Sequence, residues 1–172
     1  MNYQNAKAFL FAMLAGLAAP AYAADEPVAC PDGLICASDP AAIVAALQES
    51  GYRAKLDKTE KGEPIIESAA AGYNYTIYLM GCKEKKACSW LSFQSSFDND
   101  DGNNSLEWTN EWNSDHYFST MSLTKTKTLV VAYDVTMVGG LNKTNFSDVV
   151  VTWSDVLGEV RTFFNTHTVK KK

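Results

Sequence analysis

Apolar residues recur at steps of three and four near the end of the chain: Phe146, Val149, Val150, Trp153, Val156, Leu157, Val160, Phe163 and Phe164. That spacing predicts one amphipathic helix of about five turns whose stripe must face a sheet or another helix. A shorter stripe, Ile43, Val44 and Leu47, follows Ser38-Asp39-Pro40. Asp39 as N-cap and Pro40 at the first helical position predict a helix over about residues 40–50, with Gly51 as its stop.

Between these helices the period falls to two. Tyr73, Tyr75, Ile77 and Leu79 alternate with Asn74 and Thr76, as in a half-buried strand. Further strand-like runs lie at Tyr52–Asp57, Ile65–Ala71 and Ser89–Gln94, separated by turn residues such as Gly62-Glu63-Pro64 and Gly72. They predict an antiparallel meander. The polar stretch 98–104 leads into a short helix over about residues 105–114, with Leu106, Trp108, Thr109 and Trp112 expected on its inner side. Two more strands, Phe118–Leu123 and Leu129–Thr136, precede Gly139-Gly140. The predicted order is α-β-β-β-β-α-β-β-α, an α+β domain whose antiparallel sheet is covered by helices.

The N-terminus departs from this pattern. Lys7 precedes an apolar run from Ala8 to Leu17, Pro20 interrupts it, and Ala21-Tyr22-Ala23 has small residues at both ends. These are the parts of a secretory signal peptide cleaved before Ala24, and the run is short for crossing about 30 Å of hydrocarbon. Cleavage leaves 149 residues with a net charge of −6, a size suited to one domain and a mature chain expected to be free of stable membrane insertion. The acidic balance argues against a nucleic-acid partner, whose phosphates need Lys and Arg.

Export changes the meaning of the cysteines. Cys30/Cys36 and Cys82/Cys88 share one spacing, and an even count outside the cytoplasm reads as disulfides. Four cysteines allow three connectivities. Local pairing is expected because Cys82 and Cys88 bracket a polar loop between two strands, and C-x5-C is unlike the short knuckles of structural zinc sites.

Other chemistry is sparse, and no cofactor is expected. Asp98, Asp100 and Asp101 offer hard oxygens for calcium, but placing Gly102 at the EF-hand glycine puts Phe97 at the first ligand and Trp108 at the twelfth. A solvated loop is the simpler expectation, with those three as a weak calcium candidate. His116, next to Asp115, and His167 lie far apart in sequence, and no G-x-S-x-G motif accompanies them. His116 is expected at the surface after the middle helix. The sequons at Asn74, Asn103, Asn142 and Asn145 read as ordinary polar composition. Trp90, Trp108 and Tyr78 are candidates for an aromatic binding face, because rings bury much area with few rotors. Trp112 is expected in the core.

Several stretches in combination resemble the YbjN family of bacterial proteins, described as sensory-transduction regulators: Leu47-Gln48-Glu49-Ser50-Gly51-Tyr52; Tyr78-Leu79-Met80-Gly81-Cys82 with Cys88-Ser89-Trp90-Leu91-Ser92-Phe93; Phe97; Asn110-Glu111-Trp112-Asn113; and the last helix with Trp153 and Phe163-Phe164. The resemblance covers about residues 40–166. It implies a fold like that of type III secretion chaperones and a binding or regulatory module, and it brings no catalytic residue. The chain is thus expected to divide into a signal peptide (1–23), a disulfide-pinned lead-in (24–38), a YbjN-like α+β domain (39–167) and a basic tail (168–172). The expected function is a periplasmic or secreted, non-enzymatic interaction domain for a protein or peptide partner. A small extracytoplasmic hydrolase, a ligand- or glycan-binding module and a homodimer remain open.

Overall fold

The computed structural model describes residues 30–100 and 102–168. The expected signal peptide and the terminal lysines, Lys170 to Lys172, lie outside the described residues. The chain runs α1 (Pro40–Glu49), β1 (Ala54–Lys58), β2 (Pro64–Ala70), β3 (Tyr73–Met80), β4 (Trp90–Phe97), α2 (Leu106–Asp115), β5 (Thr120–Leu123), β6 (Leu129–Thr136) and α3 (Lys143–Thr168). This is the α+β order expected from the periodicity.

The start of α1 follows from local chemistry. The Asp39 side chain accepts from the N–H groups of Ala41 and Ala42, both at 3.1 Å, while Pro40 opens the first turn without wasting a donor. Ser105 caps α2 in the same manner, accepting from Trp108 N at 3.3 Å.

All six strands form one antiparallel sheet in the order β1-β2-β3-β4-β6-β5. The first four make the expected meander. α2 then leaves the sheet, β5 forms its far edge, and β6 returns between β4 and β5. Residues that alternate along each strand line up in rows across the sheet. One row is Leu56, Ile66, Ile77, Phe93 and Tyr133, and this face carries the core. α3 lies on it, with the fully buried Trp153 ring 5.7 Å from Tyr75 and 6.0 Å from Phe93. An exposed ion pair, Lys143 to Glu49 at 2.6 Å, ties α3 to α1, and the lysine's hydrogen bond holds the Glu49 carboxyl below its ordinary range.

Both disulfides are local: Cys30 is joined to Cys36 and Cys82 to Cys88. The first pins the lead-in, which is also stitched to the approach to α3. Ile35 and Leu141 exchange two backbone hydrogen bonds of 2.8 and 2.9 Å. Gly140 permits that contact, since a Cβ there would stand 2.8 Å from Leu34 Cβ and 2.9 Å from Cys36 Sγ.

Three expectations need correction. α3 spans 26 residues, about seven turns rather than five, because polar residues at both its ends, 143–145 and 165–168, lie beyond the apolar stripe. Leu106 is 66% exposed instead of facing inward. It lies six residues before the buried Trp112, which places it about 120° around the helix. Finally, β5 begins at Thr120, not Phe118. Phe118 adopts φ 61° and, with Tyr117, stands exposed in the turn after α2.

The two sheet edges differ. At β5, the Asn113 side chain of α2 fills both backbone positions of Met121: its carbonyl accepts from Met121 N at 2.8 Å and its amide donates to Met121 O at 3.0 Å. A side-chain amide thereby takes the place of a neighbouring strand. Among the described residues, β1 has no neighbouring strand on its outer side.

Candidate functional site

Among the described residues, the helices cover one face of the sheet and leave the other bare. Strand alternation decides what that bare face carries. Opposite Ile66, Ile77 and Phe93 point the rows Lys55–Glu67–Thr76–Gln94–Ala132 and Asp57–Ile65–Tyr78–Ser92–Asp134. A groove of about 580 Å³ runs over β1 to β4, lined by Arg53, Lys55, Glu67, Asn74, Thr76, Tyr78, Gln94 and Ser96 among others.

Its polar groups are organised among themselves. Arg53 donates to the Asn74 side chain. Lys55 bonds Asp57 at 2.9 Å and lies 3.8 Å from Glu67. The hydrogen bond with Lys55 depresses the Asp57 carboxyl, and the same contact raises the lysine. Gln94 Nε2 donates to Ser92 Oγ at 2.9 Å. The groove is therefore a field of donors and acceptors with both charge signs, with the Tyr78 ring beside it.

The aromatic candidates divide between faces. Tyr78 and Trp90 share the bare one and are half-buried there. Trp90 lies against Gly81, where an added Cβ would come within 3.0 Å of the indole and 2.3 Å of Ser89 Oγ. Gly81, at φ 63°, thus belongs to the tight turn that the Cys82–Cys88 bridge closes. Trp108 sits instead on the helix-covered side, packed on Phe163, Phe164 and His167 at 5.9, 6.0 and 5.2 Å. Trp112 is fully buried, as expected, and its Nε1 reaches Ser119 Oγ at 3.2 Å.

The two histidines, distant in sequence, meet in space around Phe163. His116 stacks on Trp112 at 3.8 Å and is half-buried, not a free surface residue. His167 stacks on Phe163 at 3.9 Å, with Nε2 3.0 Å from Glu111 and Nδ1 2.7 Å from the Phe163 carbonyl. A shallow groove beside them, about 890 Å³, also carries Asp115, Ser154, Asp155 and Glu159. Among the described residues, however, the hydrogen bond of His116 goes to the Trp112 carbonyl at 3.2 Å, which does not orient it toward a hydroxyl. A relay of nucleophile, base and orienting carboxylate needs that bond.

The acidic loop is held by amides. Asn104 donates to the carbonyls of Phe97 and Lys127 at 3.0 and 2.9 Å, and Asn99 Oδ1 accepts from Asn104 N at 2.8 Å. Asp98 accepts from Thr128 at 3.3 Å. Asp100 lines a separate surface hollow with Asp98 and Trp108, and Asp101 lies outside the described residues. Among the described residues, no group of three or more His, Cys, Asp or Glu side chains is placed to hold a metal ion, and no helix is long and apolar enough to cross a membrane.

Sequence reasoning did not single out Arg53, Lys55, Glu67 or Gln94. Each looks like an ordinary solvent-side strand residue, and only the register assembles them. The alternation that placed Tyr75 and Ile77 inside carried a partial signal, since it put Thr76 and Asn74 on the opposite face.

Comparison with known proteins agrees with this architecture. No curated protein matches the chain. The model of the YbjN family, described as "Putative bacterial sensory transduction regulator", matches residues 39–165, most of the chain and nearly the whole described domain. On that match and its α-β-β-β-β-α-β-β-α fold, the chain belongs to the YbjN family.

Proposed function

We propose that this chain is an exported, non-enzymatic regulatory domain that holds a protein or peptide partner on the bare face of its sheet. The observation that carries the proposal is the one-sided covering of the sheet. A six-stranded sheet with helices on a single face presents a broad polar surface, and the groove over β1 to β4 concentrates donors, acceptors and one aromatic ring there. Peptide backbones and polar side chains are recognised by such groups. The family's regulatory description fits the same reading. The two disulfides support export, because such bonds persist in oxidising compartments.

The test uses protein recovered from the periplasm, first weighed intact to establish that residues 1–23 are gone and the four cysteines oxidised. Crosslinking followed by mass spectrometry then compares wild type with Tyr78→Ala/Gln94→Ala. A partner captured by wild type and lost from the variant is expected. Equal capture by both, or a mass that retains residues 1–23, overturns the corresponding half of the proposal.

One observation favours a second reading. Tyr78 and Trp90 stand on the same bare face, an arrangement suited to stacking on a sugar ring. Binding to a glycan array that disappears in Trp90→Ala would select it.

A further inference from the structure

The outer edge of β1 has a self-complementary order of residues. Its backbone orientation follows from its neighbours. Thr59 N donates to Glu63 O at 2.9 Å across the β1–β2 turn, and the pairs Asp57↔Ile65 and Lys55↔Glu67 follow at steps of two. Antiparallel ladders alternate hydrogen-bonded and non-bonded pairs, so Thr59, Asp57 and Lys55 direct their N–H and C=O groups at β2. Ala54, Leu56 and Lys58 therefore direct theirs outward.

At either end of this edge an outward group is already engaged. Ala54 O accepts from Gln48 Nε2 at 3.0 Å, and Lys58 N donates to its neighbour Asp57 at 2.8 Å. At the centre, the N–H and C=O of Leu56 have no partner among the described residues, and its side chain is 46% exposed at the rim of the core face.

We propose that β1 is a self-recognition edge at which a second copy of this chain docks antiparallel, with Leu56 opposite Leu56. A two-fold axis through that pair lets the two Leu56 residues exchange both backbone hydrogen bonds. It also sets Lys55 opposite Asp57 of the second copy, and Asp57 opposite its Lys55, both on the bare face. Those are non-bonded positions, where facing side chains approach most closely. Lysine on an edge strand ordinarily deters pairing. In this register Lys55 meets a carboxylate and Lys58 meets the small, uncharged Ala54. The Leu56 side chains meet on the opposite face and cover each other's apolar surface. Two six-stranded sheets become one continuous sheet, and the two grooves, each bordered by Arg53 and Lys55, adjoin across the axis. The pairing is independent of what those grooves bind, so failure here leaves the partner proposal standing.

Charge exchange tests the register. The oxidised protein is compared by sedimentation equilibrium as wild type, Lys55→Asp, Asp57→Lys and the double exchange Lys55→Asp/Asp57→Lys. Wild type and the double exchange are expected to dimerise. Each single variant should self-associate about ten-fold or more weakly, because two attractive cross-strand pairs become repulsive. An equimolar mixture of the single variants should pair again as a heterodimer, which distinguishes the facing register from loss of the Lys55–Asp57 bridge within one chain. Circular dichroism and thermal melting establish that the variants are folded. A wild type that stays monomeric at its highest soluble concentration overturns the proposal. So does a dimer indifferent to the single charge reversals, or a mixture that does not cross-pair.

Discussion

Tyr75 stands 3% exposed between Phe93 and Trp153, and its hydroxyl finds no hydrogen-bond partner among the described residues. Burial pushes the phenol up to about 12, with the nearby Ser68 hydroxyl acting in the opposite direction. An unfolded tyrosine ionises near 10. Between those values the folded chain binds the proton more tightly, so its stability falls as pH rises through about 10 to 12 and is unaffected by this group below that window. The loss approaches about 2–3 kcal/mol at the upper end. Tyr75→Phe should leave stability at neutral pH within about 1 kcal/mol of wild type, since no hydrogen bond is lost. It should also fall less steeply at alkaline pH. Denaturant melts of both proteins at neutral pH and across the alkaline window measure the difference. Identical slopes would mean that the buried phenol does not govern alkaline unfolding.

Among the elements, α3 makes the clearest commitment to the sheet. A helix of this kind draws most of its stability from packing rather than propensity, and Trp153, Val160 and Leu157 are fully buried along its inner side. Trp153→Ala should cost about 3–5 kcal/mol, whereas Leu106→Ala on the outer side of α2 should shift stability by no more than about 0.5 kcal/mol. Urea titration under oxidising conditions gives both values, and similar midpoints would show that α3 is not docked through its tryptophan. The same contrast shows what was legible in the sequence. The stripe of α3 repeats often enough for its period to identify both the element and its buried face. In α2 three apolar or aromatic residues, Leu106, Trp108 and Trp112, span too few turns to define a direction, so the sequence pattern groups Leu106 with Trp112 although the helix carries them apart. Phe118 gave no warning of its positive φ, because nothing in an aromatic side chain announces a left-handed backbone. Strand alternation identified the buried rows of β3, but the return of β6 beside β4 and the assembly of Arg53, Lys55, Glu67 and Gln94 arise from long-range pairing that local periodicity does not encode. The meeting of His116 and His167 was hidden for the same reason.

For the molecule as a whole, the two edges of the sheet have opposite consequences. A sheet available on both sides would extend head to tail without limit, the geometry of fibres. Here Asn113 occupies the two main-chain sites of Met121 on β5, while β1 retains its central pair at Leu56. If β1 pairs as proposed, growth through it terminates after one event, and the amide of a single side chain sets the stoichiometry. Asn113→Ala should remove both contacts and lower monomer stability by about 1 kcal/mol. Its larger effect should appear with concentration: light scattering should detect species beyond the dimer in the variant and none in wild type. If Asn113→Ala also stops at two copies, α2 itself shields that edge. Asn113 then serves the fold of one subunit alone. Otherwise this amide is a chain terminator in the polymer sense, keeping a strand-pairing protein from becoming a filament.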